Sequence, residues 1–384
     1  MKHILVTGGA GYIGSITTRM LCDNNFKVTV LDSLENGHKE AVDKRARLVV
    51  FNLEDSQSTK KLFQEEKFDA VIDFAAYLSV GESMTEPVKY LRNNVQNFIN
   101  LLEAMKVAGC RFLIKSSTAA VYGNPEKSSD IPLVETYTDK TKPDFSQLFP
   151  GLWAGVEHKQ EEFFKRLITY YNDNVVSRYQ SLALSDQDIT KLRIPNSVYG
   201  LTKLLDEIIM KKYDTFSNIK GIALRYFNVA GAYGDGEIGE DKPKPTNLMP
   251  LVVLQILRNS DPLQVFGDDY PTMDGTGMRD YIHVEDLAIG HIKALDYLLK
   301  EEKSDVFNLG TGQSYSVFEV IQAVERASGK NANYQVVARR SGDPAVSCAN
   351  PEKAKLLLGW SAAHSLDDMA KSSWKWYNNH PGGY

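Results

Sequence analysis

The chain predicts a doubly wound α/β fold of the Rossmann type, with a parallel sheet flanked by helices and a smaller α/β lobe after it. Three observations predict this. Short β-branched runs alternate with helix-period stretches through the first half, the mark of βαβ units. The first run, Ile4 to Thr7, ends in Gly8, Gly9, Gly11 and Gly14, and the second, Lys27 to Leu31, closes on Asp32.

Taken in order, the glycines open a helix from Tyr12 to Cys22, whose apolar positions Ile13, Ile16, Met20 and Leu21 recur at helical spacing. Val49 to Leu53, Ala70 to Phe74 and Phe112 to Ser116 read as further strands, each separated by a helical stretch. The last is preceded by a long helix over Pro87 to Val107, with Val88, Leu91, Val95, Phe98, Leu101 and Leu102 on one stripe. Between Asp139 and Arg193 the pattern breaks into an aromatic and then polar segment, partly helical over Glu157 to Tyr171, which reads as an insertion. Ile222 to Tyr226 resumes the alternation. Beyond Asn228 the chain turns rich in Gly, Pro and Asp, and reads as a second lobe that completes a cleft.

With 384 residues, two packed domains are expected. These are 1–228, carrying the insertion at 139–193, and 229–384, with part of 276–310 packing back on the first. A formal charge of -5 argues against a nucleic-acid partner, which favours a basic excess. Cys22, Cys110 and Cys348 are too few and scattered for a disulfide framework, and no metal site is expected. The longest apolar runs are strand-length, so no membrane span is expected, and Met1-Lys2-His3 leads straight into a strand. A cytoplasmic setting follows as an expectation.

The glycines fit two overlapping spacings, Gly8-x-x-Gly11-x-x-Gly14 and Gly9-x-Gly11-x-x-Gly14. Glycine allows a tight turn, a close approach of backbone amides to a pyrophosphate, and close helix packing, while the helix N-terminus faces the negative charge. Asp32 stands at the end of the next strand, placed to accept hydrogen bonds from ribose hydroxyls. A carboxylate there repels a 2′-phosphate, and Ser33-Leu34-Glu35-Asn36 offers no arginine to neutralise one. The cofactor expected is NAD rather than NADP.

Tyr199 and Lys203 lie four residues apart, so on a helix they share a face. A lysine cation beside a phenol favours phenolate. Free tyrosine titrates near ~10, so basicity at neutral pH requires about 3–4 kcal/mol, which Lys203 and an oxidised nicotinamide can supply together. Ser116-Ser117-Thr118 ends a strand, where open α/β sheets place their ligands. The chemistry suggested is hydride transfer on or off a sugar-like alcohol.

Several segments make a resemblance specific: Thr7 through Gly14, Val80-Gly81-Glu82-Ser83, Asn93-Asn94-Val95, Ala120-Val121-Tyr122-Gly123 and Arg225-Tyr226-Phe227-Asn228. Asn247-Leu248-Met249-Pro250, Asp274 through Val284, Arg339 through Asp343 and His380 through Tyr384 extend it to nearly the whole length apart from the insertion. The chain resembles the extended short-chain dehydrogenases/reductases, and within them the UDP-glucose (UDP-galactose) 4-epimerases. The resemblance implies Tyr199 as base, Lys203 as ribose-binding partner and Thr118 as hydroxyl donor to the reacting oxygen. It implies an NAD site over Gly8, Gly11, Tyr12, Ile13, Asp32, Asn36, Asn52, Leu53, Phe74, Ala75, Ala76, Asn94, Ser116, Tyr199, Lys203 and Tyr226. A UDP-sugar would meet Thr118, Asn228, Asn247, Leu248, Phe266, Arg279, Arg340, Asp343 and Ser347, with Phe266 lining the uracil pocket and the two arginines clamping phosphates. Also implied are a homodimer and an internal redox cycle. In that cycle the C4 hydroxyl is oxidised and the ketone, turned about its phosphate tether, is reduced on its other face.

The chain departs from that pattern in three places. Asp73 and Ser79 stand where many members have histidine and lysine, which leaves cofactor retention open. Ser347 falls where the bulk of a sugar-pocket residue varies, and its small size leaves room for a 2-acetamido group. The insertion sets Thr118 and Tyr199 81 positions apart, as a lid, a dimerisation element or a decoration. Two rival readings carry less weight. A 4,6-dehydratase needs an acid/base pair after the threonine, where Ala119-Ala120 cannot transfer protons. A nucleotide-sensing regulator has no use for a basic phenol. A pentose-specific epimerase stays open.

Overall fold

The computed structural model describes residues 1–123, 125, 130–140, 195–234, 236–340 and 343–384. The insertion, with its helical reading at Glu157 to Tyr171, lies outside the described residues apart from its first two positions, where a 3-10 turn (Glu135–Lys140) ends. Ser341 and Gly342 of the arginine-rich motif lie outside them too.

Six strands build the first half: β1 (His3–Thr7), β2 (Lys27–Asp32), β3 (Arg47–Val50), β4 (Ala70–Asp73), β5 (Phe112–Thr118) and β6 (Lys220–Tyr226). The second half adds β7 (Asn228–Ala230), β8 (Leu263–Phe266), β9 (Met278–His283), β10 (Asp305–Leu309), β11 (Ser314–Ser316), β12 (Tyr334–Val337) and β13 (Val346–Ser347). Seven strands form one sheet in the order β10-β6-β5-β4-β1-β2-β3, and every pair in it is parallel. The order reverses beside β1, so β1 and β4 diverge there and open the crevice where doubly wound sheets bind ligands.

Among the described residues the helices are α1 (Tyr12–Asp23), α2 (Ser56–Glu65), α3 (Val80–Thr85), α4 (Pro87–Tyr90), α5 (Asn97–Ala108), α6 (Val198–Ser217), α7 (Leu248–Arg258), α8 (Val284–Glu301), α9 (Val317–Ser328), α10 (Glu352–Leu358) and α11 (Leu366–Asn379). A π-helical stretch, Leu91–Gln96, joins α4 to α5, so the long helix expected over Pro87 to Val107 forms with one widened turn. Two expectations need correction. β3 stops at Val50 because Asn52 Oδ1 accepts from the Glu54 N–H at 2.9 Å and Asp55 caps α2, which turns the chain out of the sheet. Between β2 and β3 there is no α-helix, only a 3-10 turn over Lys39–Ala41.

Strand alternation distributes the core over two faces. Leu5, Val71 and Leu113 point toward a cluster with Phe98, Leu102 and Leu205 from α5 and α6. Ile4, Val6 and Ile114 point the other way, against Leu21 of α1 and Leu287 and Leu295 of α8. Within 276–310, α8 packs on α1, β5 and β6, and β10 pairs with β6. The rest of the second half forms a smaller lobe. β9 is flanked by β11, β13 and β7, and β8 pairs with β12. Met249, Val253, Val320, Val324, Met369 and Trp376 fill its core beneath α7, α9 and α11.

Candidate active site

The crevice begins at the turn after β1. Gly8 has φ +68°, and a Cβ there would stand 2.7 Å from the Ala75 nitrogen, so only glycine lets this turn close onto the end of β4. A Cβ on Gly14 would stand 2.2 Å from the Gly8 oxygen, which seats α1 against the turn. Gly11, at the N-cap of α1, brings no side-chain acceptor, so the first-turn N–H groups are left for an anion. At the end of β2, Asp32 accepts from Ala10 N and Leu34 N, each at 2.9 Å. A narrow glycine turn, a helix N-terminus without a capping side chain and a carboxylate at the next strand end fit a dinucleotide with free ribose hydroxyls.

The other expected cofactor residues ring this crevice unevenly. Phe74, Ala75 and Ala76 follow β4 and are half-buried, Asn36 is exposed, and Leu53 is buried. Tyr12 and Ile13 lead α1, where the Tyr12 hydroxyl donates to the Gly231 carbonyl at 2.6 Å and ties the cradle to the second lobe. Asn52 accepts from Asn97 Nδ2 at 3.1 Å. Asn94 is buried with its amide fully engaged: Oδ1 accepts from Tyr77 N at 2.8 Å, and Nδ2 donates to Tyr77 O and Thr202 Oγ1, each at 3.1 Å. It fastens the loop after β4 to α6.

Ser197 caps α6 by accepting from Gly200 N at 3.1 Å, and the Tyr199 N–H donates to Ser83 Oγ at 3.1 Å. These bonds aim the first turn of α6 at the end of β5. There the Tyr199 hydroxyl faces the Thr118 side chain, which favours its ionised form, so the structure brings close residues that 81 positions separate. Thr118 Oγ1 also accepts from Ala120 N at 3.2 Å, which fixes its rotamer.

The lysine differs from expectation. Instead of pairing with the phenol, Lys203 Nζ donates to the Ser116 carbonyl and to Ser116 Oγ, each at 3.1 Å. Burial pushes the Tyr199 phenol up to about 12, and the Thr118 side chain and the cation of Lys115 pull against it. Lys203 is itself pushed down, by burial first and then by Lys115. Without a bound cofactor the site therefore holds a neutral phenol. Burial also raises the Tyr226 phenol, and Ser116 pulls it down.

Lys115, Asp73, Asp206, Ser83, Glu207 and Arg225 complete this constellation; Asp73 stands out in the sequence as a departure from the family pattern and Ser83 and Arg225 lie in its motifs, whereas Lys115, Asp206 and Glu207 do not. Arg225 grips Glu207 through Nε at 2.9 Å and Nη2 at 2.6 Å, and Ser117 Oγ donates to Glu207 at 2.6 Å. A sequence signal existed for some of them. A lysine inside Phe112-Leu113-Ile114-Lys115 interrupts an apolar strand and requires a buried counter-charge, and Asp206 and Glu207 follow Lys203 on one helix.

Across the crevice, Asn247 is the N-cap of α7, and its Nδ2 donates to Glu240 at 3.1 Å, with Leu248 half-buried beside it. Asn228 opens β7 opposite Tyr281. Arg279 and Ser347 are register partners on β9 and β13. The Arg279 guanidinium donates to the carbonyls of Met278 and Pro344 at 2.9 and 2.8 Å and lies 3.7 Å from Asp343. The Arg340 guanidinium covers the ring of Phe266 at 3.8 Å, so one face of that ring is already in use.

Among the described residues, His283, Glu285 and His364 bring ligand-type atoms within 4.8 Å of one another. Each is engaged elsewhere: His364 stacks on His283 at 4.2 Å and its Nδ1 lies 3.0 Å from Asp286 Oδ1. His283 Nδ1 accepts from Glu285 N at 3.1 Å, which places the ring proton on Nε2, against Ser372 Oγ at 3.0 Å. That leaves His283 no lone pair for an ion.

A family model, the NAD dependent epimerase/dehydratase family, matches residues 4–146 and 174–310. A UDP-glucose 4-epimerase of Lactobacillus helveticus is 39% identical over 382 residues, covering 99% of this chain and 98% of that protein. A bifunctional UDP-glucose 4-epimerase and UDP-xylose 4-epimerase of Arabidopsis thaliana is 38% identical, covering 100% and 97%. Among solved structures, a UDP-glucose 4-epimerase of Stenotrophomonas maltophila with bound NAD and formylated UDP-arabinopyranose superposes with a TM-score of 0.81 at 35% identity, covering 99% of both chains. A UDP-Glc/GlcNAc 4-epimerase of Campylobacter jejuni superposes at 0.74, also with 35% identity, covering 99% and 100%. The chain belongs to the NAD-dependent epimerase/dehydratase family, among its UDP-glucose 4-epimerases.

Proposed function

We infer that this enzyme inverts C4 of a UDP-hexose, interconverting UDP-glucose and UDP-galactose, with NAD as its resident cofactor. The observation that carries the reading is the approach of Thr118, at the end of β5, to the Tyr199 hydroxyl at the mouth of the glycine cradle. Bound NAD supplies the hydride acceptor, and then the hydride donor, at sugar C4. Tyr199 takes the C4 hydroxyl proton during oxidation and returns it during reduction, while Thr118 holds the reacting oxygen. Its phenol begins neutral and high, so the charge on the cofactor and the local cations must bring it down before it acts as a base. Lys203 braces the ribose from its seat on Ser116. Arg279 and Arg340 meet the diphosphate, Phe266 the uracil, and Asn228, Asn247 and Leu248 the sugar side; on that reading Arg279 exchanges Asp343 for phosphate. No net oxidation results, since the hydride and proton removed at one face return at the other.

Three finer features belong to the same proposal. Ser347 leaves room for a 2-acetamido group, so N-acetylhexosamine nucleotides are substrates as well, a reading supported by the likeness to the Campylobacter jejuni enzyme. The Arabidopsis relative favours a second reading in which UDP-pentoses are also accepted. The enzyme works as a cytoplasmic homodimer paired through α5 and α6. No helix among the described residues is long and apolar enough to cross a membrane.

The test is incubation of purified protein with UDP-galactose, separating the products and following bound-nicotinamide absorbance. UDP-glucose without net NADH supports epimerisation. NADH accumulating in step with product identifies a dehydrogenase instead.

A further inference from the structure

Two turns along α6 from Tyr199, on the same face of the helix, lies a set of buried charges whose purpose the proposed roles leave unexplained. Lys115 of β5 is fully buried, with Nζ 2.6 Å from Asp73 Oδ2 of β4 and 3.1 Å from Asp206 Oδ2 of α6. It lies 4.2 Å over the Phe98 ring of α5. Asp73 has other partners, taking Thr7 Oγ1 at 2.5 Å and Ala75 N at 3.1 Å. Asp206 does not: its Oδ1 has no hydrogen-bond partner although it is fully enclosed.

Folding alone does not call for this arrangement. Position 115 shares its sheet face with Leu113, which packs in the apolar cluster. Replacing such a buried ion set by hydrophobes is often neutral or stabilising. Its location is the informative part. Asp206 stands one turn after Lys203 on α6, and Lys115 directly precedes Ser116, the seat of Lys203. Lys203 is thus held by neutral oxygens, whereas Lys115 is held by two carboxylates that keep it charged.

We propose that Lys115, locked between Asp73 and Asp206, is the protein cation acting on the Tyr199 phenol, so that the basicity of the catalytic tyrosine depends on it. The proposal rests on Tyr199 being the base, and makes Lys115 a positioning residue. The charged and titratable groups facing this region are Asp73 from β4, Lys115 from β5, Lys203, Asp206 and Glu207 from α6, and Tyr226 from β6. Glu207 is committed to Arg225. The two members that act on the phenol in opposite senses are Lys115, which lowers it, and Asp206, which raises it.

The experiment is the pH profile of kcat/KM for UDP-galactose, measured on the NAD-loaded enzyme and four variants. Lys115→Met should move the acidic limb to higher pH by about one unit. Asp206→Asn should move it to lower pH, and Lys115→Arg should restore the wild-type limb. Opposite displacements are something a purely structural role cannot produce. Should Lys115→Met fail to fold, Asp206→Asn decides alone: a lowered limb supports the proposal, and an unmoved or raised one overturns it. Tyr199→Phe separates this proposal from the reading beneath it. If that variant is inactive while the Lys115 and Asp206 variants leave the limb in place, the role of Lys115 is overturned and Tyr199 stands as base. If Tyr199→Phe turns over normally, both fall.

Discussion

Removing the guanidinium of Arg225 while leaving Glu207 in place should be among the most damaging single changes to this fold. Arg225 is 2% exposed and Glu207 8%. The guanidinium makes two bonds to Glu207, at 2.9 and 2.6 Å, and further bonds to Glu135 O at 3.1 Å and Thr138 Oγ1 at 3.0 Å, while its Cζ lies 4.9 Å over Tyr122. Arg225→Met keeps much of the volume but strands a carboxylate whose other partner is the Ser117 hydroxyl. Breaking a buried pair on one side costs about 3–5 kcal/mol, against a total stability of about 5–15 kcal/mol for an ordinary domain. The double variant Arg225→Met/Glu207→Leu removes both charges and should recover most of that loss. Urea unfolding followed by circular dichroism reads both. A single variant that loses under about 1 kcal/mol, or a double variant no more stable than the single, would refute the view that desolvated charge dominates here.

Gly14→Ala should release NAD without unfolding the chain, because the new Cβ would stand 2.2 Å from the Gly8 oxygen and force the cradle open; nicotinamide retained through gel filtration at wild-type stoichiometry would contradict this. Acid should destabilise the protein through His283 and His291. Burial pushes both down to about 4 from an ordinary 6.5, so between those values the unfolded chain binds more protons and stability falls as pH drops. Unfolding midpoints that stay flat from pH 6.5 to 4 in the wild type, or fall unchanged in a His291→Phe variant, would contradict it. Ser347→Tyr should suppress turnover of UDP-N-acetylglucosamine at least tenfold more than that of UDP-glucose, as a pocket of added bulk excludes the acetamido group at a cost of about 1–3 kcal/mol. Equal losses on both substrates would remove Ser347 from the sugar pocket.

The sheet was legible because its strands are continuous β-branched runs and its glycine turn has a single geometric use. Tyr199 and Thr118 were legible as types, but their meeting was not, since nothing in the local pattern closes a separation of 81 positions. That contact depends on Ser83 holding the Tyr199 N–H and on Asn94 pinning the loop after β4 to α6. The partner of Lys203 was misread for a related reason. Helical spacing says which side chains share a face, but whether an ammonium reaches a phenol or a strand carbonyl depends on how deep the helix sits. Depth is set by tertiary packing. The end of β3 was misplaced because Asn52 and Asp55 spend their side chains on local turns, and such turns compete with strand extension over an apolar run.

The backbone travels between the large sheet and the smaller lobe repeatedly: from β6 into β7, from β9 back into α8, from β10 out again to β11, from β13 back into α10, and from α10 out to α11. A cleft laced by five such passages opens only if every crossing bends at once. A ketone turning over inside stays enclosed by walls that the covalent path of the chain itself holds together.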